Sequence, residues 1–122
     1  CCVQAAPRDY ARMGLFILNG AMVNGQSIVP DGWWLEATTK RTAIGVPGRG
    51  YGYQWWTYDD GSYTARGIFG QAIFIDPKRK LVIVSNANWA GGARDEVATT
   101  ARDAFYRDVQ KAIDDEGVAL AK

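Results

Sequence analysis

The serines and cysteines able to attack a carbonyl carbon are few: Ser27, Ser62, Ser85, Cys1 and Cys2, in a chain of 122 residues that contains no histidine. Without imidazole neither a Ser-His-Asp triad nor a Cys-His pair can form, and the usual imidazole metal sites go with them. None of the serines stands in a Gly-x-Ser-x-Gly elbow, and none is followed three residues later by lysine. A reactive thiolate at Cys1 or Cys2 needs a base or a helix terminus beside it, and none is evident, so buried or inert cysteines are expected. Asp59-Asp60 sit in a glycine turn and Asp114-Asp115-Glu116 near the end of a helix. Both groups read as solvated, since paired-acid chemistry needs two carboxylates converging in a cleft. Gly45-x-x-Gly48-x-Gly50 lacks the strand before, the helix after and the lysine of a phosphate loop, so it reads as a surface loop. No metal and no cofactor is implied.

The elements that would position any chemistry can be read from periodicity. Pro7 suits a first helical turn, and Tyr10, Met13, Gly14, Ile17 and Leu18 recur at helical spacing until Asn19-Gly20, which predicts a helix over residues 7–19. Asn24-Gly25 between short apolar runs predicts a tight hairpin. Pro30 opens a short helix whose Trp33, Trp34 and Ala37 could face a core, with Gly32 weakening it. Residues 39–50 read as a loop. "YGYQWW" at 51–56 reads as one aromatic strand, followed by strands over Ser62–Ile68, Gln71–Ile75 and Leu81–Ser85, the last pair turning at Asp76–Lys80. From Gln71 back to Ser62 and on to Ser85 this is an antiparallel meander of three strands. Beyond Gly91-Gly92, the residues Val97, Ala101, Ala104, Phe105, Ala112 and Ile113 predict an amphipathic helix laid against the sheet. The fold class is therefore α+β, a sheet meander with flanking helices in a single layer pair. A sheet needs cover on both faces, and the helical material reads as too little for that, so one bare face and self-association are expected.

Composition narrows the class of partner. A net charge of +1 gives no electrostatic footprint for nucleic acid or an anionic membrane, and no apolar run is long enough to span a bilayer. The chain opens on Cys1-Cys2 without methionine, which reads as a piece of a longer protein, with a lipidated mature N-terminus as the alternative. The compartment stays open between a bacterial-type cytoplasm and periplasm.

Several separate stretches, in order, carry a likeness to a known family: "RDYARMGLFILNG", "NGQSIVPDGWWLEATT", "YGYQWW" and "ARGIFGQAIFIDPKRKLVIVSNANW". Together they resemble the C-terminal part of the serine β-lactamase superfamily, closest to its class C-like branch of esterases and 6-aminohexanoate-dimer hydrolases. The resemblance implies that residues 1–122 are the C-terminal portion of one β-lactamase-like, transpeptidase-like hydrolase domain. It implies an amide or ester substrate, an acyl-enzyme, and a complementary N-terminal portion that carries the Ser-x-x-Lys and Tyr motifs absent from this chain. By the resemblance Ala65-Arg66-Gly67 takes the place of the third motif, Lys-Thr-Gly or a variant. The backbone N–H of Ile68 would then form half of an oxyanion hole, with Gly67 allowing close approach of the substrate and Phe69-Gly70-Gln71 returning the strand to the sheet. Arg66 departs from the Lys-Thr-Gly pattern, which argues against β-lactam turnover.

Other residues remain open between site and packing. Ala65, Arg66 and Phe69 flank the bend; Trp55 and Trp56 should point to opposite faces of their strand, one toward the core and one toward an acyl or amide pocket. Asn88 and Trp89 are open in the same way. The chain alone lacks a nucleophile and base and is expected to be inactive. The rival reading is a non-enzymatic α+β module binding a small ligand or a protein through the aromatic strand and the 39–50 loop.

Overall fold

The computed structural model describes residues 3–120, so the expectations placed on Cys1 and Cys2 lie outside the described residues. Helix α1, Pro7–Leu18, begins with the proline in its first turn, where no N–H is missed. It ends where Ala21 N–H donates to Phe16 O at 2.9 Å and Gly20 N–H to Ile17 O at 2.9 Å. A two-stranded hairpin follows, β1 (Met22–Val23) and β2 (Gln26–Ser27), with Asn24 and Gly25 both at positive φ. This is the conformation that the Asn-Gly dipeptide accepts most readily. Helix α2 covers Trp33–Thr38.

The rest of the chain is an antiparallel six-stranded sheet and a long helix. Strands β3 (Thr42–Ala43), β4 (Arg49–Tyr51), β5 (Trp56–Tyr58), β6 (Tyr63–Arg66), β7 (Ala72–Asp76) and β8 (Leu81–Ser85) lie side by side in sequence order. A 3₁₀ turn at Gly92–Arg94 leads into helix α3, Glu96–Leu120. The α+β meander expected from the sequence is thus present, with more strands than expected. Two boundaries are corrected. Residues 39–50 hold β3 and the start of β4, and "YGYQWW" is not one strand. The chain turns back over 52–55, with Gln54 at φ 66, Gly52 N–H bonded to Trp55 O at 2.8 Å and Tyr53 N–H to Ala37 O at 2.9 Å. The turn is held by the end of α2, a tertiary contact with no trace in the local pattern.

Pleating sorts the sheet residues onto two faces. One face sends Tyr63, Ala65, Ile73, Ile75 and Val82 toward α1, where Ile17, Ala37, Trp55, Tyr63 and Ile75 make the buried apolar core. Helix and sheet approach closely here because Gly14 has no side chain: a Cβ on it would lie 2.5 Å from Val82 Cγ1 and 3.0 Å from Ile73 Cγ2. The other face carries Thr64, Arg66, Phe74 and Asp76 and receives α3. Both faces therefore carry a helix, which corrects the expectation of a bare one.

The contact between α3 and the sheet is polar, not the apolar one that the helix pattern predicts. Phe74 stacks on Tyr106 with centroids 4.3 Å apart, but the flanking buried residues of α3 are Asp103 and Gln110. Val97 is 82% exposed and Phe105 54%, and Ala101 and Ala112 are exposed too. The apolar stripe of α3 faces outward. Its inner face is tied down by hydrogen bonds: Gln110 Nε2 donates to Asp76 Oδ2 at 2.7 Å and Asp60 Oδ2 at 3.1 Å. Arg79, in the β7–β8 turn, donates to Asp76 Oδ2 at 2.7 Å and to both oxygens of Asp114 at 2.9 and 2.7 Å. No helix among the described residues is long and apolar enough to cross a membrane.

Two expected outcomes follow from these contacts. Gly14→Ala should destabilise the chain by about 1–3 kcal/mol through overpacking, against the helix propensity that favours alanine. In urea unfolding the cost should be smaller when Val82→Ala is already present. A stabilising Gly14→Ala would show that α1 does not sit this close to β8. The second outcome concerns acid. The Arg79 hydrogen bonds hold the Asp114 carboxyl below its ordinary 3.8. For Asp60, burial pushes the carboxyl up, but hydrogen bonds from the Ser62 hydroxyl and amide and from Gln110, with the charge of Arg79, outweigh it and hold it below 3.8. A depressed native value contributes stability that is full above the unfolded value and is lost as pH falls through the native one. Stability should therefore be level above the carboxylate range and decline below it, and Asp114→Asn should flatten that decline in acid titrations followed by circular dichroism. An unchanged slope would remove Asp114 from the acid response.

Candidate functional site

Strand β6 ends at Arg66 and β7 begins at its partner Ala72, leaving residues 67–71 as the connection. The connection is wound tightly. Gly67 N–H donates to Gln71 O at 2.8 Å, and Phe69 N–H donates to the Gln71 side-chain Oε1 at 3.1 Å. The amide between them, that of Ile68, has no acceptor among the described residues. Ile68 is 64% exposed and Phe69 45% exposed, in the turn that follows the end of β6. A fixed donor in such a place can bind an oxygen that carries negative charge, and it gains most when nothing must reorganise to present it.

The turn is braced from behind. Gly70 takes φ +90, and a Cβ there would fall 2.3 to 2.6 Å from Trp89 Cε2, Cδ2 and Nε1, so the indole lies directly on the glycine backbone. Trp89 N–H also donates to Phe69 O at 3.0 Å, and Ser85 Oγ donates to Gly70 O at 3.0 Å. From the 3₁₀ turn, Gly92 packs beside the Ile68 carbonyl and the Phe69 ring. On the outer side of Trp89, the Arg102 guanidinium lies 5.1 Å from the ring centroid.

The structure brings some of the sequence-selected residues together and separates others. Ala65, Arg66, Gly67, Ile68 and Phe69 run in order through the end of β6 into the turn. Ala65 packs against the core on the α1 side. Arg66 points to the opposite face, where its side chain is 16% exposed. There it donates to the Tyr58 hydroxyl and lies 5.5 Å from the Trp56 ring centroid, 5.7 Å from that of Tyr58 and 3.9 Å from Asp103 Oδ1. Trp56 is edge-on to Tyr51 at 4.9 Å, whereas Trp55 is buried in the core against Tyr63. Neither tryptophan belongs to the turn. Asn88 is exposed, and Trp89 packs under the turn. Open cavities of about 330 and 320 Å³ run along α3 beside Arg49 and Arg107, and residues of the 67–71 turn line neither of them.

Two residues with a part in this arrangement escaped the reading of the sequence, Arg102 and Asp103, and Gln71 was read only as part of the return of the chain to the sheet. Asp103 is 4% exposed and accepts from Arg49 at 2.5 Å and Arg102 at 3.1 Å, with Arg66 at 3.9 Å. The signal available for Asp103 was its place three residues before Tyr106 on a helix, which becomes informative only once the sheet-facing side of α3 is known.

Comparison with known proteins agrees with the α+β fold. The family model described as Beta-lactamase matches residues 3–107. A 6-aminohexanoate-dimer hydrolase of Paenarthrobacter ureafaciens is 32% identical over 98 residues, which cover 71% of this chain and 25% of that protein. A solved structure from Bacillus anthracis, provisionally named a 6-aminohexanoate-dimer hydrolase, superposes with a TM-score of 0.68 at 30% identity, covering 91% of this chain and 30% of the other. The chain thus spans about a quarter to a third of the length of these relatives.

The placement of Arg66 gives a prediction of its own. Arg66→Ala should lower stability by about 1–3 kcal/mol, through loss of the aromatic stacking and of hydrogen bonds in the Tyr58–Asp103 cluster. Thermal or urea unfolding measures it. Unchanged stability would free Arg66 for contact with a ligand.

Proposed function

The chain belongs to the beta-lactamase family, and from that premise we propose that it is the C-terminal portion of a serine hydrolase that cleaves amide or ester bonds through an acyl-enzyme. The observation that carries the proposal is the Ile68 amide, which has no acceptor among the described residues, in a braced turn where Ile68 and Phe69 are exposed residues. In the proposed reaction a serine hydroxyl from the complementary N-terminal portion attacks the substrate carbonyl. The carbonyl oxygen becomes an oxyanion, and Ile68 N–H is one of two backbone donors that stabilise it. Collapse expels the amine or alcohol and leaves the acyl-enzyme, which water then cleaves. Ser-x-x-Lys is absent from the 122 residues, so the chain by itself lacks the nucleophile with its paired base and is inactive.

The packing of Arg66 supports a substrate other than a β-lactam. Its guanidinium is engaged with Tyr58, Trp56 and Asp103 on the α3 face, and Ala65 offers no charge on the other. Neither residue supplies the cation that would hold a substrate carboxylate beside the turn. An ester or amide without a carboxylate beside its scissile bond fits, and both relatives carry the name 6-aminohexanoate-dimer hydrolase.

The test uses the chain alone and the chain joined to an N-terminal portion, for which this chain replaces the segment of the Paenarthrobacter ureafaciens relative that aligns with it. With p-nitrophenyl butyrate, the joined protein should show a burst of nitrophenolate and the chain alone none. Ile68→Pro, which removes the N–H, should lower kcat of the joined protein by about 10²–10³. Ile68→Ala, which keeps it, should stay within about tenfold of the parent. Hydrolysis by the chain alone, or equal activity of the proline and alanine variants, would overturn the proposal.

A further inference from the structure

The β6–β7 turn is tied to α3 at both of its ends. At its entrance, Arg66 is the last residue of β6 and its guanidinium lies 3.9 Å from Asp103 Oδ1 on α3. At its exit, Phe69 and Gly70 are held by Trp89, through a 3.0 Å hydrogen bond to the Phe69 carbonyl and through the indole lying on Gly70. Trp89 in turn carries the Arg102 guanidinium on its ring at 5.1 Å. Arg102 Nε and Nη2 both donate to Asp103 Oδ1 at 3.1 Å, which closes the circuit on the carboxylate that faces Arg66. Ile68 lies between these two ties, with no acceptor for its amide among the described residues.

We propose that Trp89 and Arg102 are positioning residues that set the direction of the Ile68 amide, so that helix α3 governs the proposed oxyanion donor without touching substrate. The inference rests on the assignment of Ile68 as that donor. The physical case is one of degrees of freedom. The hydrogen bonds of Gly67 and Phe69 to Gln71 fix the curvature of the turn but not its tilt relative to the sheet. The tilt is limited by the Ser85 hydroxyl on the Gly70 carbonyl and by the indole packed on Gly70, which the backbone can approach further only if the ring moves. Arg102 holds that ring by a cation–π contact. Arg102 is itself held by Asp103, and its side chain is 9% exposed. Displacement of a catalytic group by about 1 Å costs on the order of 10²-fold in rate, so a modest shift of the indole is enough to be read in kcat.

The test compares Trp89→Ala, Trp89→Phe and Arg102→Gln in the joined protein, with ¹⁵N-isoleucine labelling to follow the Ile68 amide. Trp89→Ala should shift the Ile68 amide resonance and lower kcat by about tenfold to a hundredfold, with KM within about twofold. Trp89→Phe restores a ring on Gly70 and should recover most of both effects, and Arg102→Gln should fall between. An unmoved Ile68 amide in Trp89→Ala, or a phenylalanine variant as impaired as the alanine one, would overturn the inference. If Trp89→Ala fails to fold, the amide shifts in Trp89→Phe and Arg102→Gln decide, and no shift in either refutes it. The two assignments fail separately: an active Ile68→Pro removes the oxyanion role, while the resonance of Ile68 still reports whether Trp89 positions the turn.

Discussion

One buried carboxylate governs how the two halves of this chain meet. Asp103 is 4% exposed and faces the guanidinium groups of Arg49, Arg66 and Arg102. Removing ions from water costs several kcal/mol each, and the cost is recovered only where geometry and extra hydrogen bonds are good. Here the surplus positive charge is spread over aromatic faces: Arg49 on Tyr58, Arg66 on Trp56 and Tyr58, Arg102 on Trp89. Such an arrangement adds little net stability but is selective, because any slide of α3 by one turn would strand buried charges without partners. Packing by leucines would tolerate that slide. The register of α3 on the sheet is therefore set by ions and rings, and the braced turn at the end of β6 inherits that register.

The polarity of α3 explains why its apolar stripe is on the outside. The part of the sheet face under α3 offers Arg66, Thr64 and Asp76 beside Phe74, with Trp56 paired to Thr64 and Ile83 paired to Phe74 on the same side. The helix answers these charges with Asp103 and Gln110, and Phe74 with Tyr106. Burial pushes the Tyr106 phenol up to about 12, so it packs as a neutral hydroxyl among these charges. The residues left to face outward, Val97, Ala101 and Phe105 among them, are those that give the helix its amphipathic pattern. The relatives extend well beyond the matched segment.

Much of this was legible in the sequence, and the exceptions share a cause. The Asn24-Gly25 hairpin, α1 from Pro7 and strand β8 over Leu81–Ser85 were read from turn chemistry and periodicity, both of which are local. The reading failed where a distant contact overrides the local pattern. The turn at 52–55 depends on the Ala37 carbonyl, and β3 is a strand only because β4 offers it an edge. Helix α3 was legible as a helix, yet the periodic apolar residues named the wrong face, since pattern alone does not say what the opposing surface is made of. At the candidate site, the Gly67-x-x-Gly70 bend was recognised through the family resemblance. Trp89 was noticed but left undecided, because a tryptophan that lies on a glycine backbone has the same signature in sequence as one that fills a core.

The alternation of β6 bears on what kind of substrate such a turn can serve. Successive residues of a strand point to opposite faces, so Ala65 enters the apolar core and Arg66 enters the cluster around Asp103. Both positions that could have aimed a charge along the strand are absorbed by packing. What emerges beyond the end of the strand is a backbone amide with two apolar side chains, Ile68 and Phe69, both largely exposed. Under the proposed reading, recognition at this edge rests on a hydrogen bond to the reacting oxygen and on apolar contact with its neighbours. An uncharged acyl chain meets both demands, whereas a substrate carrying a carboxylate next to its scissile bond would lose the water around that charge and find no cation from Ala65 or Arg66 in return.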